Sequence, residues 1–198
     1  MNGPRGSQRP DFAAIADWIQ PGSRVLDLGC GDGTLLKYLQ QTRGVSGYGV
    51  EIDDSNVLEC VMNGVHVIQS DLERGLADFD DNSFDFVVLS QTLQAMRNTE
   101  RIVREMLRVG HAGIVTFPNF GYWKNRLHVL SGRMPISANL PFEWFNTPNI
   151  HLCTIADFEK FCTERGINIV ASTVLTNGKR ATLMPGLLGE LAVYQFSG

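Results

Sequence analysis

None of the four cysteines (Cys30, Cys60, Cys153 and Cys162) belongs to a C-x-x-C pair. That removes the spacing used by zinc ribbons and thioredoxin-like redox sites. The cysteines read as free thiols of a reducing compartment, neither a disulfide framework nor a metal site. No apolar run is long enough to span a membrane and no signal sequence opens the chain, so the expectation is a cytoplasmic protein. Positive charge is not in excess. Seventeen Lys and Arg against 21 Asp and Glu leave a formal net charge of -4, which gives no electrostatic basis for general nucleic-acid binding. No internal repeat is seen. At 198 residues, with 43% hydrophobic and 19% charged residues, the chain fits one ordinary domain with a substantial core.

The informative stretch is Arg24-Val25-Leu26-Asp27-Leu28-Gly29-Cys30-Gly31-Asp32-Gly33-Thr34. Apolar residues run into three glycines at alternate positions, and a helical pattern begins at Leu35. This reads as a strand, a tight turn and a helix start. Glycine lets such a turn adopt backbone angles closed to other residues and lets a ligand approach closely. Open α/β sheets bind nucleotides at this place, against the helix N-terminus.

Met1 to Pro10, rich in Gly, Pro, Arg and Ser, reads as a mobile leader before a single domain over 11–198. Phe12, Ile15, Ala16 and Ile19 recur at helical spacing up to Pro21-Gly22, and this helix is expected at the sheet edge or over the ligand site. Strands are expected at Arg24 to Leu28, Gly47 to Ile52, His66 to Gln69, Phe84 to Ser90 and Ile114 to Phe117. Helices are expected at Thr34 to Gln41, Ser55 to Met62 and Thr99 to Arg108, with Gly110 and Gly113 framing a turn. Glu73 to Asn82 reads as an acidic loop. The alternation predicts a doubly wound, mostly parallel α/β sheet. Beyond it, 119–152 is an aromatic-rich cap or lid with a helix near Tyr122 to Leu130. A helix capped by Thr154 follows, and then strand-like runs at Ile167 to Leu175 and Leu191 to Phe196. These complete seven strands with a C-terminal antiparallel one.

Four carboxylates fall near strand ends. Asp27, two residues before the first glycine, is placed to orient the turn and hold an ammonium group. Glu51 closes the second strand, where a carboxylate accepts hydrogen bonds from ribose hydroxyls. Asp71 follows the third strand, within reach of an exocyclic adenine amine. Asp85 begins the fourth strand at the opposite end and reads as structural. A dinucleotide fits this set less well than S-adenosylmethionine. The third position of its glycine fingerprint is Thr34, and Asp27 beside the turn disfavours a pyrophosphate. No Tyr-x-x-x-Lys pair is present to move a hydride or proton. An NAD-dependent oxidoreductase is the weakest of the readings.

Val25 to Gly33, Glu51, Ser70-Asp71-Leu72, Phe84 to Ser90 and Arg104 to Gly110 resemble the class I S-adenosylmethionine-dependent methyltransferases over about Ile15 to Phe117. The whole chain resembles the MetW family of methionine biosynthesis proteins. The supporting tracts are Ser90-Gln91-Thr92-Leu93-Gln94, Phe117-Pro118-Asn119-Phe120-Gly121-Tyr122-Trp123, and Leu140 to His151. The resemblance implies a Rossmann-like fold with S-adenosylmethionine or S-adenosylhomocysteine as a small nucleoside ligand. Its binding set is Asp27, Gly29, Cys30, Gly31, Gly33, Glu51, Ile52, Asp71, Leu72 and Ser90. It also implies a heteromeric complex with a homoserine O-acyltransferase, acetyl- or succinyl-transferring, whose activity the chain supports.

Methyl transfer itself has no marker here. The Asn-Pro-Pro-Tyr type signature of amino-group methylation is missing, and the candidates for a general base are Tyr122, His128 and His151. Transfer from an activated sulfonium also proceeds by positioning alone. The aromatics Phe120, Tyr122, Trp123, Phe142, Trp144 and Phe145 read as a lid whose outer face meets the acyltransferase, with Arg126 and Arg133 at its rim. Two functional classes follow: an accessory subunit that activates the acyltransferase, and a methyltransferase acting on an unidentified small molecule or protein.

Overall fold

The computed structural model describes residues 9–198. Eight strands form one sheet: β1 (Arg24–Leu28), β2 (Ser46–Glu51), β3 (Val67–Gln69), β4 (Phe84–Ser90), β5 (Gly110–Pro118), β6 (Asn168–Thr176), β7 (Lys179–Arg180) and β8 (Leu191–Ser197). Their order is β3-β2-β1-β4-β5-β8-β6-β7. β1 to β5 run parallel, and β8 lies antiparallel between β5 and β6. The doubly wound reading therefore holds. The eighth strand is a two-residue return, β7, paired to the end of β6. Of the expected leader over 1–10, residues 1–8 lie outside the described residues. Arg9 and Pro10 belong to the fold, because Pro10 opens a helix, as its fixed φ favours at the first helical position.

The helices are α1 (Pro10–Trp18), α2 (Thr34–Arg43), α3 (Asp54–Met62), α4 (Thr99–Val109), α5 (Trp123–Leu130), α6 (Ile155–Glu164) and α7 (Pro185–Leu188). Strand side chains alternate between two cores. Val25, Val88, Ile114 and Val193 face Phe12 and Ile15 of α1 and Leu36 and Leu39 of α2. Leu26, Val87, Val115, Phe117 and Phe196 face Ile102 and Met106 of α4 and Phe158 of α6. In this second core the Phe158 ring lies 5.1 Å from Phe117 and 4.9 Å from Tyr194. β4, buried on both faces, is the continuous apolar run expected of a central parallel strand.

Local signals act as their chemistry requires. Thr154 caps α6 by accepting from the Asp157 amide at 3.2 Å. Asp85 accepts from the Arg24 amide at 2.7 Å and ties the starts of β1 and β4 together, the structural role its position suggested. The acidic loop before β4 is held by Arg108, which donates to the carbonyls of Leu76 and Phe79 and to Asp81 and Glu105.

Gly110 and Gly113 do not frame a turn. Both lie inside β5, where their missing side chains make room for neighbours. A Cβ at Gly110 would meet Val87 Cγ2 at 2.6 Å, and one at Gly113 would meet the Phe196 ring at 2.5 Å. Phe196 is fully buried and has no space to retreat. Gly113→Ala is expected to destabilise the protein by about 1–3 kcal/mol in chemical denaturation. Gly186→Ala, whose Cβ would meet nothing within 4 Å, should stay within about 0.5 kcal/mol of the parent.

Candidate functional site

The sheet order reverses between β1 and β4, and a hollow of about 270 Å³ opens at the carboxyl ends of β1 to β4. Gly29, Val50, Glu51, Ile52, Ser70, Asp71, Leu72, Glu73, Thr92, Ala95 and Met96 line it. Five of the residues singled out in the sequence thus come together: Gly29, Glu51, Ile52, Asp71 and Leu72. Thr92, Ala95 and Met96 come from the short 3-10 turn after β4. The sequence flagged the tract that begins this turn without assigning it a wall of the hollow.

The turn after β1 is built on left-handed backbone. Gly29, Gly31 and Gly33 have φ of +65°, +55° and +76°, a region closed in practice to branched side chains. The amides of Gly29 and Cys30 both donate to Val50 O, at 2.8 and 3.1 Å. The Gly31 amide donates to Glu51 Oε2 at 2.8 Å. Three consecutive N–H groups are thereby committed to β2, which leaves the turn poorly equipped to cradle a pyrophosphate. A Cβ on Gly31 would meet nothing within 4 Å, so space lies open above the turn.

Glu51 is buried and fixed. Besides Gly31, it accepts from the Ile52 and Asp53 amides at 2.8 and 3.0 Å. A carboxylate offers about four acceptor positions, so one on Oε2 remains for a ligand hydroxyl. Bidentate acceptance from a ribose would need the Gly31 amide to be released. Asp71 accepts from the Glu73 amide at 2.9 Å and caps the turn beginning at Leu72.

Asp27 is 1% exposed, and among the described residues neither of its carboxylate oxygens meets a hydrogen-bond donor. Burial is the main cause that pushes its carboxyl from an ordinary value of 3.8 up to about 7, with the charges of Glu51 and Asp11 adding to it and Arg9 opposing. A buried, unpaired acid costs free energy unless a cationic partner meets it. Asp27, like Gly31 and Gly33, is not among the residues that line the hollow; a nucleoside with an ammonium group and no phosphate is the ligand chemistry that this carboxylate and Glu51 would suit. S-adenosylmethionine and its demethylated product are of that kind.

Other expected positions sit elsewhere. Cys30 turns its sulfur away from the hollow to within 3.7 Å of Cys60 Sγ, behind the turn. Ser90 is held in a polar cluster, with Oγ 2.5 Å from Arg9 Nη2, 3.1 Å from Asp11 Oδ2 and 3.1 Å from Thr116 Oγ1. Arg9, Asp11 and Thr116 had no signal in the sequence beyond their residue types. None of the three base candidates lines the hollow. Tyr122 is buried, and its phenol is pushed up first by burial and then by Glu190, which makes it a poorer proton acceptor at neutral pH. His128 and His151 are exposed.

Asp27 gives a pH prediction with a defined sign. Its folded-state value lies above its ordinary one, so the folded protein holds a proton that the unfolded chain has released. Its stability contribution is full below 3.8 and is lost as pH rises through about 7. Asp27→Asn should therefore gain stability over the parent across that window, by on the order of a few kcal/mol, and hold the gain at higher pH. Urea denaturation at pH 4, 6 and 8 checks this; a pH-independent difference would contradict it.

Comparison with known proteins gives the family and the fold. A family model described as methionine biosynthesis protein MetW matches residues 9–196. A curated relative from Rhodopirellula baltica, "Bifunctional methionine biosynthesis protein MetXA/MetW", is 43% identical over 157 residues, covering 74% of this chain and 25% of that protein. "Ubiquinone/menaquinone biosynthesis C-methyltransferase UbiE" of Vibrio cholerae is 30% identical over 151 residues, or 71% of this chain and 53% of that protein. The chain thus spans a quarter to a half of the length of these relatives. An S-adenosylmethionine-dependent methyltransferase from Mesorhizobium loti superposes with a TM-score of 0.70 at 16% identity, over 95% of this chain and 97% of the other. A TehB-like methyltransferase from Corynebacterium glutamicum gives 0.64 at 16% identity, over 98% and 89%. These structural matches show the class I methyltransferase-like fold, and the match over nearly the whole chain shows that it belongs to the MetW family.

Proposed function

We propose that this chain is an accessory subunit of methionine biosynthesis that binds a homoserine O-acyltransferase and raises its activity, with the hollow beside the glycine turn taking S-adenosylmethionine or S-adenosylhomocysteine. The observation that carries this reading is the Rhodopirellula protein, whose name joins MetXA and MetW in one polypeptide. A covalent link keeps two modules at a high effective concentration, which is of use when they act together.

The surface supports a partner. The segment from α5 to Leu152 exposes Leu127, Leu130, Met134, Phe142, Trp144, Phe145 and Ile150, with Trp144 73% and Phe145 69% exposed. Exposed apolar groups gathered in this way mark interaction sites, and aromatic anchors dominate interface centres. The segment is tied at its two ends, one to the other and to the turn after β4. Phe120 N donates to Cys153 O, and Ile150 N and His151 N both donate to Gln94 O. The proposed cap is in this sense a fixed platform. Arg126 spends its Nε on Gly121 O at 2.6 Å, which leaves Arg133 as the better rim cation.

A methyltransferase remains the second reading, favoured by one feature. Gln91, directly after β4, has φ +53°, and among the described residues Gln94 Oε1 is buried without a hydrogen-bond partner. Strain and an unpaired polar group beside a ligand hollow are what an acceptor site would show. Transfer of labelled methyl from S-adenosylmethionine into a cell extract, abolished by Gly31→Val, would favour this reading over the first.

The first reading is tested by the initial acyl-transfer rate of the cognate acyltransferase with and without the chain. A rise of several-fold is expected with the parent chain. Trp144→Ala should lose most of that rise while keeping its melting temperature; an unchanged rate with the parent chain would overturn the proposal. For the hollow, Gly31→Val is expected to weaken S-adenosylhomocysteine binding at least tenfold by calorimetry, because a branched side chain at φ +55° both strains the turn and fills the space above it.

A further inference from the structure

Two thiols meet behind the turn that follows β1. Cys30 belongs to the turn and Cys60 to α3, 30 positions along the chain, yet their sulfurs lie 3.7 Å apart. Cys30 is 8% exposed and Cys60 fully buried. Neither residue lines the hollow. Glycines clear the space the sulfurs occupy. A Cβ on Gly49 would overlap the Cys30 sulfur, and one on Gly33 would stand 3.0 Å from the Cys60 sulfur. A disulfide has its sulfurs about 2.05 Å apart, so closure asks for an approach of only about 1.7 Å.

The pair is joined to the hollow through one residue. The Cys60 S–H donates to Gly31 O at 3.1 Å, and the Gly31 N–H donates to Glu51 Oε2 at 2.8 Å. Burial pushes both thiols above their ordinary value, so at rest they keep their protons and this S–H donor is in place. Oxidation would remove the donor from Gly31 O and draw α3 towards the turn. The backbone that holds Glu51 would then lose one of its fixings.

We propose that Cys30 and Cys60 are a reversible dithiol–disulfide pair, closed by a peroxide, and that closure weakens the nucleoside site by disturbing the contact of Gly31 with Glu51. A peroxide is small enough for the narrow opening at Cys30. The Cys30 thiolate attacks one peroxide oxygen, the O–O bond breaks, and a sulfenic acid and hydroxide form. The Cys60 thiolate then attacks the Cys30 sulfur, the S–S bond forms, and the S–O bond breaks with loss of a second hydroxide. The two thiol protons convert both hydroxides to water. Two electrons pass from the thiols to the peroxide. The pair itself rests on geometry alone, whereas its effect on binding rests on the reading of the hollow as a nucleoside site.

The test treats the full chain with hydrogen peroxide, removes the oxidant and divides the sample for two measurements. Thiol titration after denaturation should fall from four groups to two, and peptide mapping should find Cys30 joined to Cys60. Calorimetry with S-adenosylhomocysteine should show binding weaker by roughly three- to tenfold in the oxidised chain, restored by dithiothreitol. Peroxide also oxidises exposed methionines such as Met62, which dithiothreitol does not reverse, so the restored fraction reports the disulfide. Cys60→Ser keeps a hydroxyl donor for Gly31 O and should give no linked peptide and no dithiothreitol-reversible change in affinity. Absence of the Cys30–Cys60 peptide from the oxidised parent chain, whatever the ligand does, would overturn the pair. A linked peptide with unchanged affinity would overturn the coupling to the hollow. Failure of the reduced chain to bind S-adenosylhomocysteine would overturn the nucleoside reading and the coupling with it, while the peptide map still decides the pair.

Discussion

A carboxylate buried at the end of β1 with no hydrogen-bond partner among the described residues is the constraint around which this molecule is arranged. Asp27 stands where the strand order reverses, beneath a turn whose three glycines hold left-handed backbone and whose first three amides are bound to β2. That anchoring fixes Glu51 beside the turn and keeps the space above Gly31 open. An acid held this way is unfavourable for the isolated chain and favourable for a complex with a cation. Sites are often built at such a local cost to stability. The free protein answers by keeping the proton into the neutral range.

The ligand hollow and the exposed aromatic platform share one structural part. Thr92, Ala95 and Met96 line the hollow. Between them, Gln94 offers its carbonyl to the Ile150 and His151 amides of the platform. In the proposed reading, a ligand that shifts the turn after β4 would act on the backbone to which the end of this segment, at Ile150 and His151, is hydrogen-bonded. Under the proposed accessory role, this would be a short physical route from a bound nucleoside to the proposed docking face. It consists of one 3-10 turn and two hydrogen bonds.

Much of this was legible in the residues. The first strand and the fourth have in the structure the ends read from the sequence, because a glycine turn and a doubly buried apolar run are local signals. Glu51 and Asp71 reach the hollow for the same reason, since strand ends place them. What was missed depends on contacts distant in sequence. Gly110 and Gly113 look like turn residues until Val87 and Phe196 are seen in the space above them. Arg9 looks like part of a tail until its contacts with Asp11 and with Ser90, 81 positions along the chain, are seen. Cys30 reads as a turn residue facing a ligand, whereas Cys60 and Gly49 take its sulfur to the back. The histidines failed as site markers because residue type alone does not say which way a cap residue faces.

The central claim is that Asp27 is kept for a cation, and its own titration tests that most directly. The carboxyl carbon of Asp27 would be followed by NMR from pH 3 to pH 9, alone and with saturating S-adenosylhomocysteine. The account predicts a midpoint near 7 in the free protein. With the ligand it should fall well below that, because an ammonium beside the carboxylate favours its charged form. A midpoint that stays in place when the ligand is bound would contradict the account.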